Sequence, residues 1–148
     1  MRYATGDIWD LAQELSGWVV IPTNTDTRSD GRAVMGAGLA KDASQRHPEL
    51  PKNLAKHIES FQDRIYVYNP IICMPTKRCW RYPSKMKWIE QGCRELVDMA
   101  RILSSVGDDR TILLPEIGCG LGGLNWERQV RPVVDLLLQG NRFLLVSK

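Results

Sequence analysis

Residues 18–40 read WVVIPTNTDTRSDGRAVMGAGLA, and the changes of character along this stretch decide the fold. Trp18, Val19, Val20 and Ile21 form an unbroken apolar run stopped by Pro22. A strand with one wet face would alternate, so this run reads as a parallel strand buried on both faces. From Thr23 to Val34 the residues are Thr, Asn, Asp, Ser, Arg and Gly with almost nothing apolar, which makes a loop longer than most connections, of the kind that is functional or mobile. Gly38 to Arg46 then reads as a short helix.

The same alternation extends in both directions. Arg2 to Thr5 reads as a first strand, with Asp7 capping a helix whose Ile8, Leu11, Ala12 and Leu15 recur at helical spacing until Gly17 ends it. Pro51 to Ser60 is a second short helix, set off from the first by Pro48, with Pro51 suited to a first helical position. Ile65 to Tyr68 and Ile71 to Met74 are short β-type runs around an Asn69-Pro70 turn, and should be adjacent strands. Met86, Ile89, Cys93, Leu96, Val97, Ala100 and Leu103 step by three and four, so a long helix is expected here, capped by Ser84 and closed by Gly107. Thr111 to Leu114 is another buried strand, Pro115 to Gly123 a glycine-rich loop, Pro132 to Leu138 a helix and Arg142 to Val146 a last strand. Alternating strands and helices predict an α/β fold of three layers, α/β/α, with a mixed, mostly parallel central sheet and one domain over residues 1–148.

The totals exclude several classes. A chain of 148 residues with net charge +3 and a quarter of its residues charged fits neither a disordered nor a membrane protein. No run approaches the ~18 apolar residues of a spanning helix and no signal core follows Met1, so a soluble, cytoplasmic protein without a membrane partner is expected, and nothing demands more than a monomer. Cys73, Cys79, Cys93 and Cys119 show no CxxC spacing and lie far from His47 and His57, so no metal and no cofactor are expected and the thiols should be free.

Chemistry is suggested by two glycine-rich segments, Val34-Met35-Gly36-Ala37-Gly38-Leu39-Ala40 and Ile117-Gly118-Cys119-Gly120-Leu121-Gly122-Gly123. Glycine lets backbone N–H groups turn toward an anion with no β-carbon in the way, and a helix starting near Gly38 adds the positive end of its dipole. In open α/β sheets ligands bind outside the carboxyl ends of the strands, where both segments belong. Gly118, Gly120 and Gly123 satisfy GxGxxG, but the dinucleotide fingerprint opens a βαβ unit with an acidic residue about 20 positions on, and the chain ends at Lys148 without room for it. Two tight turns with purely structural glycines remain the alternative.

Over essentially its whole length the chain resembles the macrodomain family. Gly6, Asp7 and Ile8 after the first strand, Pro22-Thr23-Asn24 leading to Val34 through Ala40, and Gly118 to Gly123 followed by Leu124, Asn125 and Trp126 fall in the family's order. Met74, Pro75, Thr76 and Lys77, then Trp80, Arg81 and Ser84, look like the branch that contains the DarG and the terminal ADP-ribose hydrolases. The resemblance implies a cleft for ADP-ribose: Asp7 and Ile8 at the adenine, and Thr23, Met35, Gly36, Ala37, Gly38, Gly118, Cys119, Gly120, Leu121, Gly122 and Gly123 around the distal ribose and diphosphate. It also implies Lys77 as catalytic residue and Asn24 as its partner at the ribose hydroxyls.

These roles have ordinary rivals. Asp7 serves equally as a helix cap, a lysine is most often a solvated surface group, and a loop asparagine often bonds its own backbone. An amine attacks the anomeric carbon if burial or nearby cations such as Arg78 and Arg81 lower its pKa. The terminal hydrolases carry a catalytic aspartate where this chain has Gly122, whereas DarG-like members have glycine. The group that activates water is therefore open, with Asp26, Asp30 and Glu116 as candidates. Around Lys77, Arg78, Arg81, Lys85 and Lys87 alternate with Trp80, Tyr82 and Trp88, a mixture suited to a single strand of DNA, with Arg78, Trp80 and Arg81 as its contacts. The expected function is hydrolysis of ADP-ribose from a nucleobase in DNA or from a protein side chain. The alternatives are a non-catalytic reader or sequestering module for ADP-ribose or a related nucleotide, and an ADP-ribose 1″-phosphate phosphatase.

Overall fold

The computed structural model describes all residues from Met1 to Lys148. In chain order the elements are β1 (Arg2–Thr5), α1 (Ile8–Leu15), β2 (Trp18–Asn24), α2 (Gly38–Arg46), α3 (Leu50–Phe61), β3 (Tyr66–Tyr68), β4 (Ile71–Lys77), α4 (Met86–Ser105), β5 (Ile112–Leu114), α5 (Arg131–Leu137) and β6 (Phe143–Ser147). A π-helical turn, Trp126–Val130, leads into α5. The strands form one sheet in the order β1-β6-β5-β2-β4-β3, parallel except for the antiparallel β3–β4 hairpin at one edge. The expected α/β/α fold with a mostly parallel sheet is thus present. No helix is long and apolar enough to cross a membrane.

Burial explains the uninterrupted apolar runs. Along β2, Trp18 and Val20 point to one face, joining Ile72, Met74, Ile112 and Leu114 beneath α4 and α5 in a cluster of 16 buried residues. Val19 and Ile21 point to the other, joining Ile71, Cys73 and Leu113 beneath α1, α2 and α3 in a cluster of 15. A strand with helices on both faces has no wet side to mark with polar residues. Each fully buried Ile or Leu in these layers contributes roughly 1.5–3 kcal/mol relative to exposure.

Several boundaries differ from the sequence reading, each for a physical reason. Pro22 does not stop β2. The strand continues to Asn24, and β4 runs past Met74 and Pro75 to Lys77, with a shift of register between Thr23 and Asn24; Pro22 lies past Val19, the last residue that β5 pairs, so no ladder bond on that side needs its missing donor. Ser84 does not cap α4: the cap residue is Lys85, with no side-chain bond, while Ser84 is buried and its hydroxyl donates to Thr76 Oγ1 at 3.0 Å. At the end of α1 the left-handed turn is made by Ser16, and Gly17 follows with its N–H donating to Ala12 O at 2.9 Å. The turn Trp126–Val130 ahead of α5 had no counterpart in the sequence reading.

Because β1, β2, β4 and β5 run parallel, the segments that leave their carboxyl ends gather along one edge of the sheet. Those segments hold Asp7, the loop from Thr25 to Ala37, the stretch after Lys77, and the glycine loop after Leu114.

Candidate functional site

Asn24 and Lys77 end β2 and β4, and the strand register makes them direct partners. Fifty-odd residues of helix and hairpin separate them in sequence, so only the crossover connection places them side by side. Lys77 is half-buried and takes part in none of the chain's salt bridges. Asn24 is committed to its own loop: its Nδ2 donates to Val34 O at 3.2 Å and its Oδ1 accepts the Asp26 N–H at 2.9 Å. The amide retains one further donor and one further acceptor position. Asn24 therefore shapes the loop, and a ribose hydroxyl beside it would be a second role rather than its first. Thr23, one residue earlier, is 5% exposed, and its hydroxyl has no partner. A buried orphan of this kind costs about 1–3 kcal/mol, which a ligand group or ordered water reaching it would recover.

The first glycine segment is pinned from below. Met35 is buried among the residues under α1 to α3, so that only its backbone faces the edge of the sheet. Val34 N–H donates to Asp26 O at 3.1 Å, which holds the segment over the end of β2. Ala37 starts α2 without any side-chain cap, leaving the first N–H groups of the helix free for an anion.

The second segment is pinned from the opposite face, where Ile117 is buried against α4 and α5. Its glycines divide into two kinds. Gly118 has φ +78, and a β-carbon there would lie 2.8 Å from Ile89 Cδ1. Gly122 is buried, its carbonyl accepting the Ser84 N–H at 2.8 Å, and a β-carbon there would overlap Ser84 Oγ and the Gly118 carbonyl. These two are glycine because the fold leaves no space. Gly120, like Gly36 in the first segment, is exposed and would present a β-carbon to nothing within 4 Å. Open space at a residue without a left-handed backbone has no structural need of glycine, and the bare backbone there is open to close approach from solvent. We expect Gly36→Leu and Gly120→Leu each to keep the melting temperature within about 2 °C and to lose ADP-ribose affinity by more than roughly 100-fold. Calorimetry giving ordinary affinity for either variant would remove that glycine from the phosphate path.

At the far end of the same edge, Asp7 caps α1, one carboxylate oxygen accepting the N–H groups of Trp9 (2.9 Å) and Asp10 (3.0 Å). Asp7 is exposed and its other oxygen is not used in the cap, so that oxygen is free to accept a further hydrogen bond. Ile8 is buried, and what it offers a ligand is its backbone. Leu121, 78% exposed, stands in solvent at the tip of the second segment.

The candidate acids separate clearly. Asp30 is engaged by Arg28 (3.2 Å) and Arg32 (3.8 Å) on the outside of the first loop. Glu116 accepts from Ser147 Oγ at 3.1 Å, toward β6 and away from Lys77. Asp26 accepts the Trp80 backbone N–H at 3.0 Å, beside the segment that leaves Lys77. Burial first, and Glu116 second, push the Cys119 thiol up to about 11, so it is protonated at neutral pH and offers no nucleophile. Its alkylation by iodoacetamide at pH 8 should run at least ~10-fold slower than that of a free cysteine, as timed mass spectrometry would read. No three His, Cys, Asp or Glu side chains cluster as a metal set.

Beyond Lys77, Arg78, Arg81, Lys85 and Lys87 are exposed, as are Trp80 (54%) and Tyr82 (59%), while Trp88 is half-buried on α4. The Arg81 guanidinium sits 5.3 Å from the centre of the Trp80 ring. Sequence reasoning missed the buried hydroxyl pair Thr76–Ser84, since nothing in the residue types announces that a serine eight positions on returns to the strand end.

No family model matches the chain. A Thermus aquaticus protein named DNA ADP-ribosyl glycohydrolase is 36% identical over 115 residues, 70% of this chain and 31% of that protein. The chain thus spans about a third of the length of the curated relatives it matches. The solved macrodomain of Thermus aquaticus DarG superposes with a TM-score of 0.72 at 29% identity, covering 99% of this chain and 97% of that one. Thermosipho africanus DarTG, solved in complex with ADP-ribose, superposes with a TM-score of 0.76 at 23% identity, covering 100% of this chain and 42% of that one. With its sheet order, its glycine segments at the carboxyl edge and these relatives together, the chain belongs to the macrodomain family, and the members it matches include the DarG macrodomains of Thermus aquaticus and Mycobacterium tuberculosis.

Proposed function

We propose that residues 1–148 act as one ADP-ribose-binding macrodomain that hydrolyses the bond between ADP-ribose and a nucleobase in DNA. The observation that carries the reading is the pairing of Lys77 with Asn24 at the strand ends flanked by the two glycine segments. The pyrophosphate would lie against the free N–H groups of both segments, with Asp7 at the adenine end and the anomeric carbon over β2 and β4. The Lys77 Nζ uses its lone pair to form a bond to that carbon as the base departs with the glycosidic electron pair and takes the proton that Nζ gives up. Water then adds to the same carbon and Nζ leaves, which yields free ADP-ribose and restores the amine. Relatives named for DNA ADP-ribosyl glycohydrolase activity support the choice of substrate. So does the basic, aromatic surface of Arg78, Trp80 and Arg81 just past the lysine.

Incubation with ADP-ribosylated single-stranded DNA and, in parallel, with peptides ADP-ribosylated on glutamate should release free ADP-ribose from the DNA. Release from the peptide alone would move the substrate to protein. A second reading, a module that binds or sequesters ADP-ribose without turnover, is favoured by one feature: Gly122 leaves no room for a carboxylate, and Asp30 and Glu116 face elsewhere. Cleavage of ADP-ribose 1″-phosphate would use the same pocket and is checked by adding that compound to the assay. We take the acting form to be a cytoplasmic monomer, and light scattering well above 16.8 kDa would overturn the monomer.

A further inference from the structure

The segment that follows Lys77 is fastened twice to the loop that follows Asn24. Thr25 gives its backbone N–H (3.0 Å) and its hydroxyl (2.9 Å) to the Arg78 carbonyl, and the Asp26 carboxylate accepts the Trp80 N–H at 3.0 Å. Asp26 is itself fixed on both sides, its N–H held by Asn24 Oδ1 and its carbonyl by the Val34 N–H. The second fastening lies within a tight turn of the chain, the Tyr82 N–H returning to Cys79 O at 3.1 Å. Hydrogen bonds to Asn24, and through it the strand register with Lys77, therefore set where Trp80 stands.

The Trp80 ring makes little use of this anchoring for packing, being 54% exposed with a guanidinium over it. A large aromatic face, open to solvent on a rigid backbone beside a cation, is what stacking of a nucleobase needs. Direction follows from topology. The glycine segments belong to the ends of β2 and β5, while β4 lies on the side of β2 away from β5. A group bonded to a carbon held over β2 and β4, on the far side from the glycine segments, would leave over the end of β4, toward the segment that carries Trp80. Residues 78–88 hold Arg78, Arg81, Lys85 and Lys87 and no acidic residue, which suits a phosphodiester strand better than a glutamate-bearing peptide.

Resting on the reading of Lys77 as the residue at the scissile bond, we infer that Trp80 is a stacking platform for a base of single-stranded DNA on the leaving-group side, and that Asp26 is the positioning residue that holds it there. Steady-state kinetics on an ADP-ribosylated single-stranded oligonucleotide tests this. Trp80→Ala should raise KM roughly 10-fold or more, the size of one lost base–aromatic stack, with ADP-ribose affinity unchanged by calorimetry. Trp80→Phe should recover most of the loss. Asp26→Ala should raise KM like Trp80→Ala and add little to it in the double variant, whereas Asp26→Asn, whose amide oxygen still accepts the Trp80 N–H, should stay near wild type.

An unchanged KM in Asp26→Ala overturns the inference, as does an equal rise for Trp80→Ala on an ADP-ribosylated peptide. A fall in kcat with KM preserved in Asp26→Asn also overturns it, by making the carboxylate a proton-transfer group. A wild-type protein that releases nothing from DNA overturns the glycohydrolase reading alone. The platform is then judged by anisotropy of a labelled, unmodified single-stranded oligonucleotide: about 10-fold weaker binding in Trp80→Ala and Asp26→Ala supports it, and equal binding overturns it.

Discussion

Lys77→Ala is expected to reduce release of ADP-ribose from modified DNA by about 10³-fold or more, while affinity for free ADP-ribose stays within a few-fold. The size follows from removing the atom that forms the covalent bond. Retained affinity follows from the structure: Lys77 contributes its backbone to the β2–β4 pairing, which alanine preserves, and its amine forms no ion pair whose loss would leave a charge stranded. Lys77→Arg refines the test. Arginine keeps the positive charge and remains protonated at any working pH, so it cannot attack carbon. If both variants are inactive, the amine is the nucleophile; if arginine restores release, the lysine only supplies charge beside the phosphates. Unchanged release in alanine would favour a pocket without this catalyst, and calorimetry run alongside would show whether the ADP-ribose cleft survives that result.

How much of this could be read from residues alone depends on the range of the forces involved. Buried β2, α2 from Gly38 to Arg46, and the β3–β4 hairpin were legible because their signals are local: an apolar run, a helical period, a turn dipeptide. The two glycine segments were also legible as unusual. What each glycine is for was not, since Gly36 and Gly120 face open space while Gly118 and Gly122 face other atoms, and only the packed structure separates them. Ser84 carried the right residue type for a cap and was misread, because a contact with Thr76 on a distant strand had already claimed its hydroxyl. The partnership of Asn24 with Lys77 came from family resemblance in the sequence and rests on strand register in the fold, a relation that no spacing encodes. The attachment of Asp26 to Trp80 had no sequence signal at all, as a carboxylate accepting a backbone N–H leaves no trace in the acceptor's neighbours.

Gly122→Asp, which installs the carboxylate that other members of the branch place in this loop, is expected to weaken the fold rather than enhance turnover. A β-carbon at Gly122 falls on Ser84 Oγ and on the carbonyl of Gly118, so either the second glycine segment or the start of the Ser84 turn must move. Such overpacking costs typically 1–3 kcal/mol, and a carboxylate forced into that buried space adds desolvation on top. For a chain of this length a loss of about 3 kcal/mol lowers the melting temperature by roughly 10 °C. Moving the segment also breaks the Ser84 N–H bond to Gly122 and disturbs Thr76, whose carbonyl holds the Lys85 N–H and which directly precedes Lys77. ADP-ribose affinity and turnover should therefore fall together. Ser84→Ala in the same chain removes only the hydroxyl and leaves the clash with the Gly118 backbone, so it should recover less than half of the lost stability. A melting temperature unchanged by Gly122→Asp would mean that the loop relaxes freely; a rise in kcat would mean that this site had merely lacked its base.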